Sequence, residues 1–256
     1  DSDVCSSDLL ILETARRILP LCAPGAGDAV DAVAGHPGWA RVHIASGKHL
    51  AEPTAAILPD LPFDNLLVEP VPRNTAPCIA WAAARVARRD PEAVLVVLPS
   101  DHHIVDVVGF RDTLSRAVAS ARTGTITTIG VRPTHPETGY GYIEIEAGAV
   151  AGEGGAFPVK RFVEKPPRAL AEQFLAGGRH LWNAGMFIFR ACDMLAAVRA
   201  HLPALADGLE TLDRAAAAGR ELDELIHLFP TLPAVSIDKG VMEHLERLAV
   251  IPGDFG

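Results

Sequence analysis

The sequence predicts an α/β fold, a mixed and mostly parallel sheet flanked by helices. Two observations carry that expectation. Ala93-Val94-Leu95-Val96-Val97-Leu98 is an uninterrupted apolar run, which reads as a strand buried on both faces of a parallel sheet. Around it, strand-like and helix-like segments alternate, as crossover units require. The chain of 256 residues, 49% of them hydrophobic, is long enough to bury one large α/β core.

The elements follow in order. Leu9, Leu12, Ala15, Arg16 and Leu19 keep helical spacing, with Pro20 near the stop. Arg41–Ala45 reads as a short strand, the stretch around Lys48 to Leu58 as a helix, and Asn65–Glu69 as a second strand. An Ala-rich helix is expected from Thr75 to Arg89, with Pro91 past its end. The Ala93–Leu98 strand follows, then a helix near Phe110–Ala121 and a β-branched strand at Thr125–Gly130. After Pro133 the pattern turns to alternation, Tyr140, Tyr142, Glu144 and Glu146 opposing Gly141, Ile143 and Ile145. With strands at Val159–Val163 and Met186–Phe189, this region should be more antiparallel. Residues 191–229 are Ala/Leu-rich, helical, and expected outside the sheet.

Composition narrows the function. A net charge of −9 argues against a nucleic-acid surface, which needs a basic face. Cys5, Cys22, Cys78 and Cys192 are far apart, as suits reduced thiols in a cytoplasmic protein. No apolar stretch approaches the roughly 18 residues of a membrane span. Residues 1–8 are aperiodic and acidic where a signal peptide would be basic, and read as a non-native leader.

Candidate chemistry gathers at strand ends. Asp101, in Pro99-Ser100-Asp101-His102, follows the apolar strand at its carboxyl end, where open α/β sheets bind ligands. It either holds magnesium beside substrate phosphates or caps a turn. Arg73-Asn74-Thr75 bridges a strand and a helix; Asn74 is a good N-cap, and the free N–H groups behind it suit an anion, though a capped Pro-rich turn explains it too. Gly139-Tyr140-Gly141-Tyr142 allows close approach of backbone to ligand, or is a bulge in a strand. Glu164 and Lys165 are adjacent and so point to opposite faces of a straight strand; a turn at Pro166 can aim both inward, toward sugar hydroxyls and a phosphate. An exposed ion pair is the alternative. Asn183, in Trp182-Asn183-Ala184-Gly185, offers donor and acceptor to a sugar. Ser236 or Asp238 caps a helix start.

Taken together, E-P-x-x-R-N-T-A-P, L-P-S-D-H, G-Y-G-Y, F-V-E-K-P, W-N-A-G-M-F and S-I-D-K-G-V-M-E resemble the bacterial mannose-1-phosphate guanylyltransferases, or GDP-mannose pyrophosphorylases, from about Leu9 to Gly256. The resemblance implies a Rossmann-like nucleotidyltransferase fold over residues 9–256. It also implies transfer from GTP to mannose 1-phosphate, yielding GDP-mannose and pyrophosphate. By this match Asp101 holds magnesium, and Arg73, Asn74 and Thr75 hold the nucleotide. Gly139, Tyr140, Glu164 and Asn183 hold the sugar, and Lys165 pairs with its phosphate. Asp238 lies in a matching motif without an assigned role, and a homo-oligomer is compatible with the family. The family's opening strand with its Gly-rich G-x-G-x-R loop, and its W-x-D-x-G segment, have no counterpart here. The resemblance therefore predicts an interior piece of such an enzyme, with little activity of its own. A non-catalytic sugar-nucleotide-binding module and a pyrophosphorylase for another base or hexose are the alternatives.

Overall fold

The computed structural model describes residues 5–22 and 37–256. Residues 1–4 of the acidic leader lie outside them; α1 (Cys5–Cys22) takes in the rest of that segment. Ala15 and Leu19 of α1 pack on Trp39, Val42 and Leu58 in a small core of their own. β1 (Ile44–Gly47), α2 (Ala51–Ile57) and β2 (Leu66–Glu69) follow. β1 and β2 pair parallel, Ile44 opposite Leu66. The buried Asn65 amide locks this corner by donating to three carbonyls, Val42's at 2.9 Å among them.

Next come α3 (Thr75–Ala87), β3 (Val94–Val97), α4 (Val107–Ala121) and β4 (Ile126–Val131). The second half runs β5 (Tyr142–Ile145), β6 (Phe157–Val163), α5 (Arg168–Gly177), β7 (His180–Arg190), α6 (Ala191–His201), α7 (Pro203–Ala217), α8 (Glu221–Leu228), α9 (Ile237–Gly240) and β8 (Leu248–Gly253). The main sheet has the order β3-β7-β4-β8-β6-β5, and β5 pairs with β7 as well. The last five strands therefore curl into a ring, with β3 outside it. β4 and β8 are parallel, and both β3 and β4 are antiparallel to β7, so β3, β4 and β8 share one direction with β7 inserted against it.

The expectation that Ala93–Leu98 is a strand buried on both faces of a parallel sheet is corrected. Among the described residues β3 ends the sheet, its one ladder is antiparallel, and its side chains are only half-buried. An apolar run reports that both faces of a strand are covered, not how many neighbours it has. The free side of β3 lines a cavity of about 2010 Å³, which β1 and β2 face through Ile44, Ala45, Leu67 and Glu69.

β7 carries the core. Phe187 and Phe189 enter the layer under α3, α6 and α7, with Trp81, Leu209 and Phe229. Met186 and Ile188 enter the opposite layer, with Phe110 and Leu114 of α4, Ile129 and Phe255. Alternation on a strand covered on both sides makes such a three-layer sandwich. The sequence pattern marks neither α5 nor β8. Pro252 in β8 argues against a central strand, yet it is accommodated near the end of the ladder, opposite Gly130.

Candidate functional site

The site forms where β7 is irregular. Thr128 of β4 faces Phe187, but Gly130 faces Asn183, so three residues of β7 oppose one of β4. Such a bulge re-aims side chains beside it. Gly185, inside it, takes φ +67°, a conformation glycine adopts at no steric cost. A Cβ there would stand 3.5 Å from Pro99 Cγ, so the bulge sits against the chain leaving β3.

Asn183 is tied into this irregularity. Its backbone N–H donates to the Gly141 carbonyl at 2.8 Å. Its Oδ1 accepts the Gly185 N–H at 3.1 Å, and its Nδ2 donates to Asp238 Oδ1 at 2.9 Å. Glu164 and Lys165 form an ion pair, the alternative that the sequence left open: Lys165 adopts φ +48°, and its Nζ lies 3.4 Å from Glu164 Oε1. The Glu164 side chain is 13% exposed and that of Lys165 62%, so the carboxylate is sheltered and the ammonium free to move. The Glu164 backbone N–H is held by Glu243 Oε1 at 3.1 Å. Burial, and next the Glu164 carboxylate, push the Asp238 carboxyl up to about 6, against the Asn183 amide and Lys165.

Gly141 makes the close approach. A Cβ on it would lie 2.7 Å from Glu164 Oε2 and 3.3 Å from Asn183 Cβ, whereas one on Gly139 would meet only Glu137. Glu137 Oε1 accepts the N–H groups of Thr138 and Gly139, at 2.7 and 2.8 Å, and its carbonyl accepts the Tyr142 hydroxyl. That turn sets the half-exposed Tyr140 edge-on against Trp182 at 5.3 Å, with His135 also edge-on at 4.9 Å.

Asn74 and Thr75 open α3 on the wall of the cavity beside β3, which Gly139, Tyr140, Glu164, Lys165 and Asn183 do not line. Asn74 has φ +67°, and its side chain accepts the Thr75 N–H at 2.9 Å. Both line the cavity, as do Pro99, Ser100, Gly185 and Asp238. Arg73 does not; its guanidinium donates to the Pro230 carbonyl. Asp101 is exposed beyond the cavity wall and makes no hydrogen bond or ion pair among the described residues. α1 props its loop, Arg17 Nη1 donating to the His102 carbonyl at 2.9 Å. Among the described residues no three His, Cys, Asp or Glu side chains cluster as a metal cage. A lone exposed carboxylate still fits magnesium, an ion satisfied by one or two carboxylates with phosphate oxygens and water.

Sequence reasoning missed Thr128, Glu243 and the contact of Gly141. The repeated glycine of G-Y-G was the available signal for the last.

The family model described as nucleotidyl transferase matches residues 38–223. The chain belongs to the nucleotidyl transferase family. This nucleotidyltransferase is 43% identical to the xanthan biosynthesis protein XanB of Xanthomonas campestris pv. campestris over 195 residues, 75% of this chain and 40% of that one. It is 38% identical to a mannose-1-phosphate guanylyltransferase of Escherichia coli over 201 residues, 75% of this chain and 41% of that protein. The chain thus spans about two fifths of the length of these curated relatives. A crystal structure from Thermus thermophilus, described as a mannose-1-phosphate geranyltransferase, superposes with a TM-score of 0.76 at 31% identity, covering 96% of this chain and 64% of that one. A Helicobacter pylori structure described as a mannose-6-phosphate isomerase shares the fold, with a TM-score of 0.73 at 24% identity over 96% of this chain and 88% of that one.

Proposed function

We propose that this nucleotidyltransferase serves a mannose-1-phosphate guanylyltransferase reaction in the cytoplasm, in which a phosphate oxygen of mannose 1-phosphate attacks the α-phosphorus of GTP. Pyrophosphate leaves and GDP-mannose forms. The observation that carries the reading is the meeting of Glu164, Lys165 and Asn183 at the bulge, with Gly141 leaving room beside them. Glu164 accepts from sugar hydroxyls, Asn183 donates to one, and the mobile Lys165 ammonium pairs with the sugar phosphate. Asn74 and Thr75 present the start of α3 to the nucleotide, where the positive end of the helix dipole favours phosphate. Arg73, engaged by Pro230, supports that loop from behind.

Phosphoryl transfer of this kind asks a protein mainly to position reactants and offset charge. Lys165 and the positive end of the α3 dipole supply part of that charge. Asp101 would hold magnesium, which when bound would offset charge on the phosphates. The name of the Escherichia coli relative, a mannose-1-phosphate guanylyltransferase, supports mannose over other hexoses.

Titrating the chain with mannose 1-phosphate and with GTP plus magnesium tests the reading, using glucose 1-phosphate, UTP and dTTP as rivals. Tighter binding of the first pair is expected. Preference for glucose 1-phosphate with UTP or dTTP overturns it.

A further inference from the structure

The Asn183 amide is held from three directions. Its Oδ1 accepts from the Gly185 N–H at 3.1 Å and lies 3.2 Å from Thr128 Oγ1, while Nδ2 donates to Asp238 Oδ1 at 2.9 Å. A primary amide has two N–H donors and one oxygen with two lone pairs. The Gly185 N–H takes one lone pair of the oxygen, while the single Thr128 hydroxyl proton has a nearer acceptor in the Met186 carbonyl, at 2.9 Å. Flipping the amide would set its oxygen against the Asp238 carboxylate and its NH₂ against the Gly185 N–H. Two repulsions would replace two bonds, so the amide keeps this orientation, with one N–H bound to Asp238 and one left to donate.

The turn that carries Asp238 also holds the other half of the site. The Ile237 N–H donates to Thr75 Oγ1 at 2.9 Å, and the Ala76 N–H donates to the Val235 carbonyl at 3.1 Å. Residues 235–238 therefore grip the first turn of α3 and the β7 bulge at once.

We propose that Asp238 is a positioning residue: it fixes the Asn183 amide as a hydrogen-bond donor toward a sugar hydroxyl, and its turn sets that donor in register with the nucleotide-binding start of α3. This inference rests on the sugar-phosphate reading above. It also narrows the ligand chemistry. Asn183 offers an N–H and an ionised Glu164 can only accept, whereas a hydroxyl does both. The pair matches sugar hydroxyls and disfavours a deoxygenated ring. The elevated proton affinity of Asp238, set by burial and by Glu164, agrees with a carboxyl kept here against its own solvation.

The test titrates the full chain at pH 7.5 with mannose 1-phosphate and, separately, with inorganic phosphate, for the wild type, Asp238→Ala and Asp238→Asn. Asp238→Ala should weaken mannose 1-phosphate about tenfold, the weight of one hydrogen bond, and leave inorganic phosphate unchanged. Asp238→Asn keeps an acceptor for Asn183 Nδ2 and should stay within about threefold of the wild type. If urea unfolding shows Asp238→Ala to be unfolded, Asp238→Val, which removes the acceptor while filling more of its space, replaces it with the same expectation. A folded Asp238→Ala that binds mannose 1-phosphate like the wild type overturns the positioning role and leaves the sugar-phosphate reading standing. An Asp238→Asn as weak as Asp238→Ala overturns it too, since charge rather than acceptor geometry would then be at work. A wild type that binds mannose 1-phosphate no better than phosphate overturns the underlying reading instead.

Discussion

Replacing Asp238 by Asn should stabilise the protein at neutral pH, by an amount the structure sets. Burial and the Glu164 carboxylate raise the Asp238 carboxyl from 3.8 to about 6. Every tenfold rise in proton affinity corresponds to about 1.4 kcal/mol, so keeping this group ionised in the fold costs about 3 kcal/mol. Proton counting gives the sign. Between 3.8 and about 6 the native state holds a proton that the unfolded state has lost, so stability falls as pH rises through that window and levels off above it. Asn mimics the neutral carboxyl and can still accept from Asn183 Nδ2. Asp238→Asn should therefore exceed the wild type by about 1–3 kcal/mol at pH 8, and match it near pH 3. Urea unfolding at intervals from pH 3 to 8, compared as the difference between the two proteins, isolates this group from other carboxylates. A variant less stable than the wild type at pH 8 would refute the reasoning, because it would mean that the ionised form is the favoured partner of its surroundings.

Three other substitutions probe separate parts of the molecule. Phe189→Ala empties a fully buried position between the sheet and the α3–α6 layer and should cost about 3–5 kcal/mol in urea unfolding; a loss below about 1 kcal/mol would contradict that packing. Gly141→Ala places a methyl 2.7 Å from Glu164 Oε2 and should displace the carboxylate, weakening mannose 1-phosphate at least about tenfold in a titration. Lys165→Ala removes a charge-assisted partner worth about 1.5–3 kcal/mol, so mannose 1-phosphate should weaken by roughly ten- to a hundredfold while stability stays unchanged, its side chain being 62% exposed.

Local chemistry was legible where it repeats or punctuates. The helix from Thr75 and its Asn74 cap, the strands at Asn65–Glu69 and Thr125–Gly130, and the alternation after Tyr140 all occur within a residue or two of the expected places. At the Pro166 turn the chain does bend, with the positive φ falling on Lys165, and Glu164 and Lys165 meet as an ion pair. Met186–Phe189 understated its strand, which runs from His180 to Arg190. Asn183 and Gly185 break the apolar pattern because they form the bulge, and a bulge reads locally as an interruption.

By itself, then, the sequence determined the α/β class, most of the elements, and which polar residues stand at their ends. It did so because periodicity, caps and breakers are short-range properties, written within a few residues of where they act. Only the tertiary structure decided that β3 lies at an edge, that β7 runs antiparallel between β3 and β4, and that Asp238 meets Asn183 across 55 positions of chain. Strand order and cross-chain hydrogen bonds depend on which ladder partners find each other. Each of these strands satisfies its own pattern equally well beside several neighbours, so the choice belongs to the packing of the whole sheet.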